Sequence, residues 1–399
     1  MLTCHSQNTT RPSLFHNTEY VGAFRNIFLT LHRIFTRQIM DRRDFLGRIA
    51  ATGAALAAPT IMGATTTEAA AYRGSIKNDF YTVPKAQGLK ITGTFLDEIS
   101  HDIPHQNWGV KEWENDFKHM KAIGIDTVIV IRSGYRKFIT YPSAYLMKTR
   151  GAYAPSMDLI ELFLTLSDKY GMTFYFGLYD SGHYWETGDM SWELEDNKHV
   201  IDEVWHRYGE RHKSFGGWYV STEISRQTKG AIETFYTMGK MCKDISNGLP
   251  TFISPWIDGK KAVAAASSGL TKAQSVSVEE HEKEWNEIFD GIHSVVDAVA
   301  FQDGHIDYDE LDAFFSVNKK LADKYGMKCW TNAETFDRDM PIKFLPIKFD
   351  KLRMKLEAAR RCNYDKAITF EFSHFMSPQS SYAQAHGLYD RYKEYFGIK

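Results

Sequence analysis

Apolar residues along this chain follow two alternating rhythms. Short continuous runs such as DTVIVI at 126–131, TFYFGLY at 173–179 and KCWTNAE at 328–334 are separated by stretches in which apolar side chains recur every three to four residues. The first pattern is that of a strand buried on both faces, the second that of a helix with one apolar stripe. Leu159, Leu162, Phe163, Leu166 and Tyr170 form one such stripe, with Ser156 as its expected N-cap. Leu311, Phe314, Phe315, Ala322 and Tyr325 form a second, and Trp113, Phe117, Met120 and Gly124 a third. Each of these helices ends on a glycine (Gly171, Gly326 and Gly124), read as a left-handed cap that turns straight into the next strand.

Eight strands are expected in all, near 89–96, 127–131, 173–179, 217–222, 251–256, 298–302, 328–333 and 367–372, with a last helix near 383–395. Alternating strands and helices call for a parallel sheet covered by helices, and eight repeats close more naturally than they spread. The predicted fold class is therefore α/β, a single (β/α)8 TIM barrel. No Gly-x-Gly-x-x-Gly turn follows the first strand, and no glycine-rich phosphate cradle follows the seventh or eighth. The Ala-, Ser- and Lys-rich stretch 260–277 reads as a long, mobile loop after strand five.

The first 71 residues stand outside this rhythm. Arg42-Arg43 followed by Phe45-Leu46, then an Ala- and Gly-rich apolar run over 49–58 and small residues at Ala69-Ala70-Ala71, is the layout of a twin-arginine signal peptide. It predicts export by the twin-arginine machinery, release after Ala71, a periplasmic or secreted location, and residues 72–399 as the barrel domain. The apolar run is too short for a stable membrane anchor. Met40 stands two residues before the arginine pair, so 1–39 reads as sequence upstream of the true start. A formal net charge of −2 gives no basic footprint for nucleic acid. Cys242, Cys329 and Cys362 match neither a metal spacing nor a disulfide framework, and no cofactor motif is present.

Carboxylates gather where the predicted strands end. Asp97 and Glu98 follow strand one, Asp180 strand three, Glu223 strand four, Asp258 strand five, Asp303 strand six and Glu334 strand seven, while Glu371 ends strand eight. In barrels of this type the strand C-termini form the reaction face, and two facing carboxylates suit glycosidic-bond hydrolysis. Strand alternation puts Tyr219, Ser221 and Glu223 on one side, Trp330, Asn332 and Glu334 on another, and Thr369, Glu371 and Ser373 on a third. A carboxylate past a strand is often only the cap of the next helix, and Asp97, Asp180 and Asp258 suit that role. Glu223 and Glu334 lie well ahead of the next helical pattern and are the expected catalytic pair. Aromatic residues make up 14% of the chain, and Tyr135, Tyr179, Trp185, Trp256, Trp330, Phe336 and Phe375 fall near the same rim. Together with Asp97, Asp180, His183, Asp303, Asn332, Glu371 and His374, the first five supply the expected carbohydrate-binding surface. A metal-dependent hydrolase or isomerase using His183, His305 and His374 is a rival reading, although no His-Glu-x-x-His helix is present. A carbohydrate-binding barrel without catalysis is another.

The segments ITGTFLDEI, WENDFKHMKAIGIDTVIV, TYPSAY, GWYVSTEIS and TNAETF, spread over about 89–375, resemble the bacterial barrel family known as domain of unknown function 4434. That resemblance implies a fold close to the glycoside hydrolases. More widely, glutamates after strands four and seven resemble the large retaining glycosidase clan. The likeness implies that Glu223 is acid/base and Glu334 the nucleophile. The chain departs from the clan at Thr222, where the clan places Asn.

Overall fold

The computed structural model describes residues 84–399 apart from 102, 224–227, 264–274 and 339–343. The predicted export signal and most of the loop 260–277 lie outside the described residues. β1 (Ile91–Leu96), β2 (Thr127–Val130), β3 (Thr173–Gly177), β4 (Phe215–Tyr219), β5 (Thr251–Ile253), β6 (Ala298–Gln302), β7 (Lys328–Asn332) and β8 (Lys366–Thr369) close into one ring. Every pairing around it is parallel, with β1 bonded to β2 on one side and to β8 on the other. All eight expected strands are present. Several stop earlier than predicted, because at the rim the backbone leaves its neighbours for side chains. The Tyr179 amide donates to Asn197 Oδ1 at 2.8 Å, and Ser221 Oγ donates to the Leu178 carbonyl at 2.7 Å.

Inside the ring, Phe95, Ile129, Tyr175, Tyr219, Phe252 and Ile368 pack with Trp330 and Phe370. The rings of Tyr219 and Phe252 lie 4.7 Å apart, and those of Phe252 and Trp330 5.3 Å apart. This plug is the floor beneath the rim, and losing one of its large side chains costs about 3–5 kcal/mol. The helices bury their stripes against the outer faces of the strands. Gly171 and Gly326 cap their helices at φ +60° and +69°, as the repeated motif predicts. The helix Leu159–Tyr170 is capped by Asp158 rather than Ser156, because the Asp158 carboxylate stands next to the first turn and accepts the Glu161 amide at 3.0 Å.

The last helix, Ala383–Phe396, runs down to the opposite end of the barrel from the rim. There Tyr395 Oη accepts the amides of Gln87 and Gly88, and Tyr392 Oη accepts that of Ile91 at 2.8 Å. No helix among the described residues is long and apolar enough to cross a membrane.

Candidate active site

Alternation along β4 continues past its end: Tyr219 fills the interior, and Ser221 and Glu223 follow on the same side. Glu223 remains one-fifth exposed and meets Arg132, the residue that closes the apolar run of β2. One guanidinium nitrogen of Arg132 donates to Asp180 Oδ2 at 2.9 Å, the other to Glu223 Oε1 at 3.1 Å. Burial alone would make Arg132 easier to deprotonate; Glu223 and Asp180 reverse that and hold it charged. Trp185 Nε1 donates to the same Asp180 oxygen at 3.0 Å, so Asp180 fixes both the arginine and the indole.

Glu334 stands two residues beyond Asn332 at the end of β7 and is nearly closed off from solvent, with 2% of its side chain exposed. Arg338, four residues on, grips both of its oxygens, each at 2.7 Å. Burial pushes the Glu334 carboxyl up, but Arg338, with Lys355 behind it, outweighs it and holds the group below the usual carboxylate range. Glu334 is therefore an anion at neutral pH. Arg338 feels the charge of Glu223 as well as that of Glu334, so the two glutamates share one electrostatic neighbourhood. Gly304 makes room for this clamp. A Cβ there would sit 1.9 Å from Glu334 Oε2 and 2.3 Å from Arg338 Nε.

Behind Glu334 lies a buried support. Asp303 Oδ1 accepts the Glu334 amide at 3.1 Å and the Lys355 ammonium at 2.7 Å, and Lys355 also donates to the Glu334 carbonyl at 3.2 Å. Burial raises the Asp303 carboxyl; Lys355 opposes it and Glu334 adds to it. On the open side, the rings of Trp185 and Trp256 are 6.0 Å apart, and His305 lies 6.1 Å from Trp256. Burial, then the Arg338 charge, push the His305 imidazole down to about 4, so it is neutral. Asp303 Oδ2, Asn332 Oδ1, Arg132 Nε and Asp97 Oδ2 are buried without a hydrogen-bond partner among the described residues. Trp185, held by Asp180, and Trp256 set two indoles beside the charged groups of Arg132 and Glu223, a surface that suits a ligand rich in hydroxyls.

Of the residues expected at the rim, Glu223, Asp180, Trp185, Trp256, Asp303, Asn332 and Glu334 line this region, and Tyr135 borders it. Tyr135 stacks on His101 at 5.0 Å and lies 5.7 Å beneath Arg132. Asp97 mainly caps a turn, accepting the amides of Ile99 and Ser100 through Oδ1. Thr222 turns outward, its hydroxyl 3.5 Å from Met238 Sδ.

Five expectations fail. Glu371 does not join the glutamates, because Ile368 and Phe370 take the inward positions on β8 and leave Glu371 on the other side. It accepts the amides of Ser373 and His374, and His374 Nδ1 lies 2.5 Å from its Oε1. His374 Nε2 lies 2.8 Å from the Pro104 carbonyl. Both ring nitrogens face acceptors, so His374 is an imidazolium buried as an ion pair rather than a ligand-binding group. Trp330 belongs to the interior plug, with Lys366 from the start of β8 5.8 Å from its ring centre, and so faces the far end of the barrel. Tyr179 is buried in the outer core, its hydroxyl donating to the Arg136 carbonyl. His183 stacks on Trp192 at 4.2 Å and pairs with Asp189. His183, His305 and His374 thus occupy three separate settings, and no three potential metal-binding side chains converge among the described residues.

Arg132, Arg338, Gly304 and Lys355 emerge only with the fold. Two of them carry a signal in the sequence. Arg132 is a charge set directly on an apolar run, and Lys355 lies on the stripe Leu352, Leu356, Ala359 of its helix, where an apolar residue is expected.

The profile of the family described as "Domain of unknown function (DUF4434)" matches residues 91–382. Among solved structures, a Bacteroides thetaiotaomicron protein provisionally designated an alpha-L-fucosidase is 77% identical, with 80% of this chain and 99% of that one covered and a TM-score of 0.77. A Thermotoga petrophila endo-1,4-beta-D-mannanase is 10% identical over 71% of this chain and 88% of its own, with a TM-score of 0.46. An intracellular xylanase from Thermoanaerobacterium saccharolyticum is 12% identical over 74% and 89%, with a TM-score of 0.43. None of the curated proteins matches the chain.

Proposed function

Because the chain belongs to the DUF4434 family, whose description names no activity, we propose a function from the rim itself: a glycoside hydrolase that cleaves an oligo- or polysaccharide with retention of configuration. The observation that carries the reading is the pair Glu223 and Glu334, placed just past strands four and seven with Arg338 in the field of both. Glu334 is ionised and deep, as a nucleophile needs to be; Glu223 is the one that reaches solvent, as a proton donor and later acceptor of water's proton needs to do.

In the first step a Glu334 oxygen leaves Arg338 and bonds to the anomeric carbon. The glycosidic C–O bond breaks, and the leaving oxygen takes a proton from Glu223. In the second step Glu223 removes a proton from water, whose oxygen displaces Glu334 from the same carbon. Arg132 donates to Glu223 Oε1 at 3.1 Å, so a bound sugar must part this contact before Glu223 gives its proton to the leaving oxygen. Trp185 and Trp256 offer flat faces to the C–H side of a ring. The designation of the 77% identical relative makes an α-L-fucoside the first substrate to try.

The test is a panel of aryl glycosides, beginning with an α-L-fucoside, followed by intact mass after reaction with a 2-deoxy-2-fluoro glycoside of the accepted sugar. The expected adduct maps to Glu334, and Glu334→Gln removes turnover while sugar binding persists. Full activity of Glu334→Gln would reject the assignment.

A further inference from the structure

We propose a second carbohydrate contact outside the cup: an aromatic platform, Phe138 and Tyr153, over which a glycan strand leaving the cup is laid. It rests on the carbohydrate reading above. After β2 the chain forms a hairpin, Gly134–Tyr135 against Phe138–Ile139, with Tyr135 and Phe138 directly opposite each other. Residues opposite in an antiparallel pair project from the same face, with Cβ atoms roughly 5 Å apart. Tyr135 borders the cup, next to Arg132. The face that begins there therefore continues outward through Phe138.

Exposure rises along this path. Tyr135 is half-buried, whereas Phe138 is 64% exposed and Tyr153 56%. The two outer rings are 5.3 Å apart and tilted by 60°, an arrangement that leaves ring faces open rather than closing them on each other. Their backbones are tied, since the Tyr153 amide donates to the Lys137 carbonyl at 2.8 Å, and Arg136 in the turn pairs with Glu186 on the helix that carries Trp185. Two adjacent aromatic rings, tied by the backbone and open to water, offer a flat apolar surface that a ligand can cover. Trp192, also exposed, is unlike them: Arg150 and His183 already cover its ring at 3.9 and 4.2 Å. Sugar rings match the open pair, since their C–H faces stack on aromatic planes while their hydroxyls stay in water. A strand held there and in the cup is bound at two points at once, which raises apparent affinity for long chains and leaves short substrates unaffected.

The test is native electrophoresis through gels containing one soluble polysaccharide each: a xylan, a mannan, a fucan or a polygalacturonate. Wild type and Glu334→Gln are expected to be retarded by at least one of them. The double variant Phe138→Ala/Tyr153→Ala should lose about tenfold in apparent affinity, with turnover of an aryl glycoside and the melting temperature unchanged, and Phe138→Trp/Tyr153→Trp should restore retardation. Equal retardation of wild type and the double alanine variant overturns the platform, as does a wild type that no polysaccharide retards. So does an equal loss on short and long substrates, which would make the pair structural. Retardation without hydrolysis of any aryl glycoside would leave the platform standing and remove the hydrolase.

Discussion

The buried ion pair of His374 and Glu371 predicts how stability depends on pH. Burial alone would lower the His374 pKa, but Glu371, with Asp97 and Glu98 nearby, raises it to about 9. The ring is 1% exposed, so solvent screens the pair little. A group whose folded pKa lies above its unfolded one stabilises the fold fully below the unfolded value, near 6.5 for His, and loses that contribution as pH rises through the folded value. At about 1.4 kcal/mol per pH unit, the window from 6.5 to 9 carries roughly 3 kcal/mol. Glu98 and Asp116, both pushed up by burial to about 7, act in the same direction, since the fold favours their protonated forms. Their contribution is lost mostly below pH 7.5, which separates them from His374. Urea midpoints measured from pH 6 to 10 should fall for wild type, with about 2 kcal/mol, and so about 0.6 M, lost between 7.5 and 9.5 if the urea slope is near 3 kcal/mol/M. His374→Gln should start less stable and stay nearly flat over that interval. A wild type with no decline above pH 7.5, or a variant that declines in parallel, would refute the reasoning.

Gly304→Ala brings a methyl to 1.9 Å from Glu334 Oε2, where contact normally begins near 3.4 Å, so the clamp must open by more than an ångström. Turnover of an accepted aryl glycoside should fall by roughly 100-fold, and a fall under threefold would mean that the clamp does not position Glu334. Lys355→Met strands the buried Asp303 carboxylate and should cost about 3–5 kcal/mol in urea unfolding, with Asp303→Asn added to it recovering much of the loss; a cost below about 1 kcal/mol would contradict the pairing. Finally, the mature protein isolated from its own host should begin at Tyr72 and lie outside the cytoplasm, and Arg42→Lys/Arg43→Lys should hold it inside. N-terminal sequencing of cell fractions checks this, and an intact leader in wild type would refute it.

The barrel was legible because its signals are local: a continuous apolar run, a striped helix and a glycine cap repeat along the chain. The positions of Glu223 and Glu334 were legible for a related reason. Tyr219 and Trp330 face inward, and alternation carries the glutamates to the same side. On β8 that count fails by one residue, because Ile368 rather than Thr369 faces the axis, and Glu371 is lost to the site. The same logic placed Trp330 on the correct side but at the wrong height. The arginine contacts were out of reach of sequence reasoning, since Arg132 and Glu223 are 91 residues apart and meet only through closure of the ring. Arg338 stood in plain view four residues after Glu334, but in a segment with no helical pattern to suggest the pairing.

The tyrosine hydroxyls that tie the last helix to the strand-one approach settle how the molecule can be handled. Both ends of the described domain meet on the side of the barrel away from the cup. A tag or resin linker fused beyond Lys399 therefore orients the molecule with its open mouth toward the surrounding liquid. Immobilised in that way, it can receive long chains without a spacer.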